Sequence, residues 1–214
     1  HDNAEKAWEA GHHQKEVVPV EIEPDFKMIK KDNGIRSGTS IEKLTKLKPA
    51  FDKKHGTLTA ANSSFLTDGS AVCLIMTESK AKKLGFTPKA EIVDYCFTGQ
   101  RLEDELLLGP AYAMSKVLDQ TKLSLNDIDV FEIHEAFAGQ VLTNIKCLAD
   151  DEFCKIELLK EKPVGEIDIN KDKVIFLKSV EAKLILNNQN KIFISSEYGK
   201  YNINNFDTIF NLSL

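Results

Sequence analysis

The residues with the clearest chemical potential lie in Phe131-Glu132-Ile133-His134-Glu135-Ala136-Phe137-Ala138-Gly139, where an apolar strand pattern gives way to a helical one and His134 and Glu135 mark the change. Ligands of open α/β sheets gather at such strand-to-helix junctions. A histidine there can orient a water, donate to a developing oxyanion or act as a base, because its ordinary pKa is near neutrality. The competing reading is a histidine that merely caps the helix. A metal-dependent hydrolase built on His134 and Glu135 is rejected, since no further ligand stands at metal spacing.

Three weaker candidates follow. The stretch Thr59-Ala60-Ala61-Asn62-Ser63-Ser64 is small and hydroxyl-bearing, which suits a backbone that approaches a polar ligand or equally an ordinary turn. Arg36, in Asp32-Asn33-Gly34-Ile35-Arg36, carries a planar fork of donors suited to phosphate, although a lone arginine is more often simply solvated. The four cysteines form no C-x-x-C pair: Cys73 and Cys96 lie in apolar runs where a thiol packs as an inert hydrophobe, and Cys147 and Cys154 have no histidine nearby in sequence. His12, His13 and His55 lie in polar surroundings and read as surface residues.

The elements that must position these residues alternate. The pattern predicts a helix over residues 4–10 that opens as if in mid-helix, with the true start upstream. It then predicts a strand from Val17 to Ile22 confined to an edge by Pro19, a loop from Glu23 to Ser40, and a short helix capped by Thr39 or Ser40 and ended at Lys48-Pro49. Thr67-Asp68-Gly69 supplies a helix cap before the apolar run Ala71–Met76. A helix from Ser79 to Leu84 stops at Gly85, Ala90 to Phe97 reads as a strand, and Pro110 opens a helix through Thr121. A turn at Leu125–Asp129, a strand at Val130–Ile133 and a helix from Glu135 to Leu148 complete a βαβα order, which predicts an α/β layered sheet.

Composition bounds the function. Hydrophobic residues are 42% and charged residues 29%, as in an ordinary globular protein, and a net charge of −5 leaves no basic surface for nucleic acid or anionic lipid. The apolar runs are far shorter than a membrane helix needs. From Asn170 onward the character changes: this tail holds eight of the thirteen asparagines and no proline. Strands are expected there at 174–180, 183–186 and 191–195. The bias fits a low-complexity extension, a β-rich appendage or, preferred here, non-coding sequence carried into the reading frame.

Taken in order, Lys31-Asp32-Asn33-Gly34-Ile35-Arg36, Leu47-Lys48-Pro49-Ala50-Phe51, Thr59-Ala60-Ala61-Asn62-Ser63-Ser64-Phe65-Leu66-Thr67-Asp68-Gly69, Leu106-Leu107-Leu108-Gly109-Pro110 and His134-Glu135-Ala136-Phe137 resemble the thiolase family over about residues 1–173. The wording is similar to the branch that acts on long-chain 3-ketoacyl-CoA in mitochondrial β-oxidation, because His134 stands where most members have asparagine. The resemblance implies the thiolase α/β fold, a layered sheet with helices on both faces, present here incompletely. Its parts would be a loop-region remnant at 1–64, the end of the N-terminal half at 65–88, the first part of the C-terminal half at 89–170, and the divergent tail at 171–214.

The resemblance also implies roles. Arg36 and Ser64 would contact coenzyme A, Phe51, Ala60 and Leu66 would line the pantetheine and acyl channel, and Ala136 and Phe137 would wall the reaction pocket. His134 would hold the oxyanion-hole water. Family chemistry is a reversible Claisen reaction: a cysteine thiolate attacks the 3-keto carbon, acetyl-CoA leaves, and coenzyme A takes the acyl group, while a histidine of a G-H-P motif helps stabilise the enolate. Neither that cysteine nor a G-H-P segment is found here, so the expectation is an acyltransferase by descent that does not turn over alone. The alternative is a noncatalytic coenzyme A, acyl-CoA or subunit-interaction module. Coenzyme A is expected as substrate, with no cofactor and no metal. A mitochondrial location, a homodimer or a hetero-oligomer with an α subunit, and inner-membrane association of the full complex are implied for the longer protein. A sheet cut in this way exposes unpaired edges and predicts poor solubility.

Overall fold

The computed structural model describes residues 1–13, 17–67 and 73–169, together with the backbone of four short strands at 174–177, 182–184, 194–195 and 210–212. The described chain divides at Ala61 into two compact units.

In the first unit, helix α1 (Asp2–Glu9) comes a little ahead of the expected helix, and its Trp8 stacks on His13 at 4.8 Å between ring centroids. Strands β1 (Val20–Ile22) and β2 (Lys27–Ile29) form an antiparallel hairpin in the register Val20↔Ile29. The second strand corrects the loop expected from Glu23 to Ser40. The loop-like composition hid it because all six hairpin residues are exposed and show no burial alternation. Helix α2 (Ile41–Leu44) is capped as expected by Ser40, whose Oγ accepts from Lys43 N at 3.4 Å. Further on, Asp52 Oδ1 accepts from Lys54 N (2.9 Å) and His55 N (3.0 Å), and these backbone donors hold its carboxyl below the usual range. This turn requires glycine at position 56: a Cβ there would stand 2.3 Å from the Asp52 carbonyl oxygen.

The second unit carries the core. The cap and apolar run expected at residues 67–76 fall mainly on 68–72, outside the described residues, and 73–76 form no helix or strand. Helix α3 (Glu78–Lys83) starts on the Thr77 side chain and ends before Gly85, whose φ of +75° is left-handed and open to glycine. Ala90–Phe97 joins no ladder, which corrects the strand expected there. The β-forming residues are present, but no partner strand lies alongside among the described residues, and Tyr95 and Phe97 stay 69% and 82% exposed.

After the short helix α4 (Leu102–Glu105), Pro110 opens helix α5 (Gly109–Thr121), as its fixed φ favours, and Lys122 ends it in the left-handed region. A Ser124–Asp127 capping box shapes a 3-10 turn at Leu125–Asp127. Strand β3 (Phe131–His134) then runs through the core, followed by helices α6 (Ala138–Ala149) and α7 (Asp151–Ile156). The chain returns as β4 (Val174–Leu177), which pairs parallel with β3 in the register Phe131↔Val174. Strand β5 (Ala182–Leu184) pairs antiparallel with β7 (Phe210–Leu212), and β6 (Ile194–Ser195) lies parallel on the other edge of β3.

The resulting β4–β3–β6 sheet and its crossover helices form an α/β arrangement of the kind expected. Strands do fall near the expected tail positions. The core joins Met114 and Leu118 of α5, Phe131 and Ile133 of β3, and Val141 and Leu148 of α6. Removing each such side chain from water is worth about 1.5–3 kcal/mol.

Candidate functional site

β3 is buried on both faces, with Phe131, Glu132 and Ile133 at 7%, 3% and 1% exposure, so the strand cannot shift without exposing the core. It delivers His134 half-buried at its C-terminal end, with Nδ1 out of reach of solvent. Helix α6 was expected to begin at Glu135; it begins at Ala138. The reason lies in another segment. Ser63 bridges Phe137 in antiparallel fashion, Ser64 N donates to Ala136 O at 2.9 Å, and Ala138 N donates to Asn62 O at 3.0 Å. Bonding to Asn62–Ser64 holds Phe137 extended and keeps Ala136 out of the helix. The Asn62 carbonyl also satisfies one of the donors that a helix start leaves open, in place of the side-chain cap that Phe137 lacks.

Two of the sequence candidates are therefore brought together. The small-residue stretch ending at Ser64 and the junction after His134 are hydrogen-bonded neighbours at the mouth of the sheet, with Ser64, His134, Ala136 and Phe137 all half-buried. Leu66, two residues on, is fully exposed. Arg36, Phe51 and Ala60 belong to the first unit and are all exposed. Arg36 Nη1 donates to Asn33 O at 2.9 Å, which folds its guanidinium over its own turn.

The cysteines behave as packing residues. Burial pushes the Cys73, Cys96 and Cys147 thiols up from their usual range, which lowers the thiolate fraction and with it nucleophilicity. Cys154 is wholly buried and directs its thiol at the carbonyls of Cys147 (3.3 Å) and Leu148 (3.4 Å). No group of three His, Cys, Asp or Glu side chains suited to a metal is found among the described residues. Among them, too, no helix is long and apolar enough to cross a membrane.

Sequence reasoning passed over two features that support this site. Asn144 of α6 is completely buried: its Oδ1 accepts from Ala111 N at 2.9 Å, and its Nδ2 donates to Leu107 O (2.9 Å) and Gln140 O (2.8 Å). It thereby caps α5 from a neighbouring helix. The available signal was a polar residue at i+3 on the buried stripe Val141, Asn144, Leu148. The second feature is Glu105, the buried residue of α4, which accepts from the Tyr112 hydroxyl at 2.7 Å and from Arg101 Nη2 at 3.2 Å. The Tyr112 hydroxyl also reaches Glu157 at 3.3 Å. These partners hold the Glu105 carboxyl below its usual range, the Tyr112 bond contributing most, while burial and the two carboxylates push the phenol well up.

Comparison with known proteins accounts for this arrangement. The thiolase N-terminal domain family matches residues 1–79 and the thiolase C-terminal domain family residues 86–164. A 3-ketoacyl-CoA thiolase of Alteromonas mediterranea is 43% identical over 82% of this chain and 40% of its own length. The mitochondrial trifunctional enzyme subunit beta of Rattus norvegicus is 47% identical over 80% of this chain and 35% of its own. Among solved structures, the dimeric peroxisomal thiolase of Saccharomyces cerevisiae superposes with a TM-score of 0.62 at 39% identity, covering 68% of this chain and 36% of that one. The Bacillus anthracis acetyl-CoA acetyltransferase gives 0.63 at 40% identity, covering 77% and 41%. The chain thus spans well under half the length of the relatives it matches. Both thiolase domain families met in order along one chain, at these identities and with the same fold in solved neighbours, show that the chain belongs to the thiolase family.

Proposed function

We propose that the chain is part of an acetyl-CoA C-acyltransferase, a 3-ketoacyl-CoA thiolase of fatty-acid β-oxidation, and that it binds coenzyme A thioesters without turning them over alone. The observation that carries this reading is the hydrogen-bonded seam between Asn62–Ser64 and Ala136–Ala138. It joins the two motifs that the family resemblance assigns to coenzyme A contact and to the reaction pocket.

In this reading, Ser64 and Arg36 contact the coenzyme A, while Phe51, Ala60 and Leu66 line the path of the pantetheine and acyl chain. Ala136 and Phe137 wall the pocket. His134, fixed by a strand that cannot slip, holds the water that donates to the thioester oxygen as charge develops on it. Donors positioned in advance lower such a barrier because little reorganisation is left to the reaction itself. The carbon–carbon bond is broken by a cysteine thiolate, and none of the thiols described above suits that role, with three pushed up by burial and the fourth fully enclosed. The nucleophile and the G-H-P histidine would come from family sequence outside the stretch matched here.

The full-length protein is proposed to be mitochondrial and to assemble as a homodimer or with an α subunit. The similarity to the mitochondrial trifunctional enzyme subunit beta of Rattus norvegicus and to the dimeric thiolase of Saccharomyces cerevisiae supports this. The same geometry without a nucleophile also supports a second reading, a noncatalytic coenzyme A or acyl-CoA binding module.

Calorimetric titration with coenzyme A and a 3-ketoacyl-CoA, run beside a thiolysis assay, tests both readings. Binding without turnover is expected, and Ser64→Pro, which deletes the N–H bonded to Ala136 O, should weaken it at least several-fold. Turnover by the chain alone would overturn the claim of inactivity. Absence of any binding would remove both readings.

A further inference from the structure

Of the thirteen asparagines in the chain, Asn33 alone is followed by glycine, and the turn around it leaves that pair open to chemistry. Asn33 is exposed and lies outside every helix and strand, and its side-chain amide has no hydrogen-bond partner among the described residues. Gly34 N–H likewise donates to nothing among them, and no Cβ shields that nitrogen. The other asparagines with described surroundings differ. Asn3, Asn126 and Asn144 sit in α1, the 3-10 turn and α6, and Asn62 is held in the seam by Ala138 N. Each precedes a residue that carries a Cβ: Ala4, Asp127, Ile145 and Ser63. The Asn33 turn also closes on a cation, since Arg36 Nη1 donates to the Asn33 main-chain oxygen at 2.9 Å. The far side of the turn is anchored independently. Arg36 N donates to His1 Nδ1 at 3.3 Å, Ser37 Oγ to Glu5 Oε1, and Thr39 Oγ1 to Arg36 O at 2.7 Å. Arg36 therefore stays beside Asn33 when the backbone at 33–34 changes.

We propose that Asn33 is a modification site, which deamidates through the Gly34 nitrogen to isoaspartate, and that the carboxylate so made captures Arg36. Asparagine is among the thermolabile residues, and the reaction needs no partner but water. Gly34 N attacks Asn33 Cγ. The N–Cγ bond forms as the Cγ–Nδ2 bond breaks, and Nδ2 leaves as ammonia with the proton from Gly34 N. Water then opens the five-membered imide. Addition at the Asn33 main-chain carbon breaks its bond to Gly34 N, so the chain now runs through Cγ and the former main-chain carbonyl becomes a free carboxylate, with release of one proton. Addition at Cγ instead gives an ordinary aspartate at position 33. The carbonyl freed in the first route is the one Arg36 already holds. It remains attached to Asn33 Cα, so a neutral acceptor becomes an anionic one in place, and a guanidinium bonds a carboxylate more strongly than a neutral oxygen. The consequence for binding rests on the reading of Arg36 as a coenzyme A contact: a guanidinium held by this carboxylate has fewer donors left for phosphate.

The test uses the full 214-residue chain, held at 37 °C and pH 7.5 and sampled daily. Peptide mass spectrometry with isoaspartyl methyltransferase labelling should show Asn33 converting before any other asparagine, chiefly to isoaspartate. Gly34→Ala should slow the conversion at least tenfold. Gly34 is not among the glycines in the left-handed region, so this variant should keep the parent's circular dichroism. Phenylglyoxal labelling reads the capture: with Arg101 as internal reference, Arg36 should react at least threefold more slowly in the isoaspartate form, separated by ion exchange, than in the fresh chain. Calorimetry should show coenzyme A binding the isoaspartate form at least several-fold more weakly. Should the fresh chain bind none, the coenzyme A reading fails, while conversion and slowed labelling still uphold the site. An unchanged Asn33 overturns the proposal. So does conversion as fast in Gly34→Ala as in the parent, or Arg36 labelled equally fast in both forms.

Discussion

Replacing Asn144 by alanine should cost this domain a measurable part of its stability, although only one small side chain is lost. Its amide makes two bonds that cross between elements, to Ala111 N and Leu107 O, both at 2.9 Å, and the site is wholly buried. The third partner, Gln140 O, sits one turn back on the same helix, where a backbone donor is also available. The variant leaves Ala111 N with only its 3.0 Å bond to Leu108 O and takes the amide partner from the part-buried Leu107 carbonyl, so a loss of about 1–3 kcal/mol is expected. Against a typical domain stability of about 5–15 kcal/mol that is readily measured. With a urea slope of about 1–3 kcal/mol per molar, the midpoint should fall by about 1 M with the slope unchanged.

Asn144→Asp provides a signed control. It keeps the acceptor for Ala111 N but turns oxygen towards the Leu107 and Gln140 carbonyls, so the folded state favours the protonated acid and its pKa rises above the unfolded value of about 3.9. Stability of this variant should be greatest below that value and should fall as pH rises from there to the folded pKa, a dependence that the parent and Asn144→Ala lack. Chemical denaturation followed by circular dichroism at pH 4 and pH 7 reads all three proteins. A loss under about 0.5 kcal/mol for Asn144→Ala, or a flat pH response for Asn144→Asp, would refute the account of Asn144 as the group that caps α5 from α6.

Two further outcomes are expected. The Glu105 carboxyl is held below its ordinary 4.5, chiefly by the Tyr112 hydroxyl, so the stability it contributes is present above 4.5 and is lost as pH falls through the lower folded value. Tyr112→Phe should accordingly be destabilising at pH 7 and progressively less so in acid, and a penalty independent of pH would show that the hydroxyl bond is not the cause. The Cys73, Cys96 and Cys147 thiols, raised by burial, should each alkylate with iodoacetamide at pH 7.5 more slowly than glutathione. Mass-spectrometric detection of any of them reacting faster would reopen the question of a nucleophile in this chain.

What the sequence determined by itself was whatever a few neighbouring residues can encode. The Ser40 cap, the Pro110 helix start, the stop at Gly85 and the apolar strand leading to His134 all appear close to where their residue types predict. The resemblance carried by Lys31–Arg36, Thr59–Gly69 and His134–Phe137 was equally a property of local order, and it was enough to name the family. Tertiary structure alone decided the pairings. Glu135–Phe137 read as the first turn of a helix until Asn62–Ser64, more than seventy residues away, engaged its backbone. Ala90–Phe97 has the composition of a strand and no ladder, because composition supplies the side chains of a strand and never its neighbour. Asn144 looked like an interruption in an apolar stripe and proved to be the amide that satisfies another helix. In each case the backbone's hydrogen bonds must be completed by groups remote in sequence, and which groups lie within 3 Å is set by packing rather than by the residues on either side.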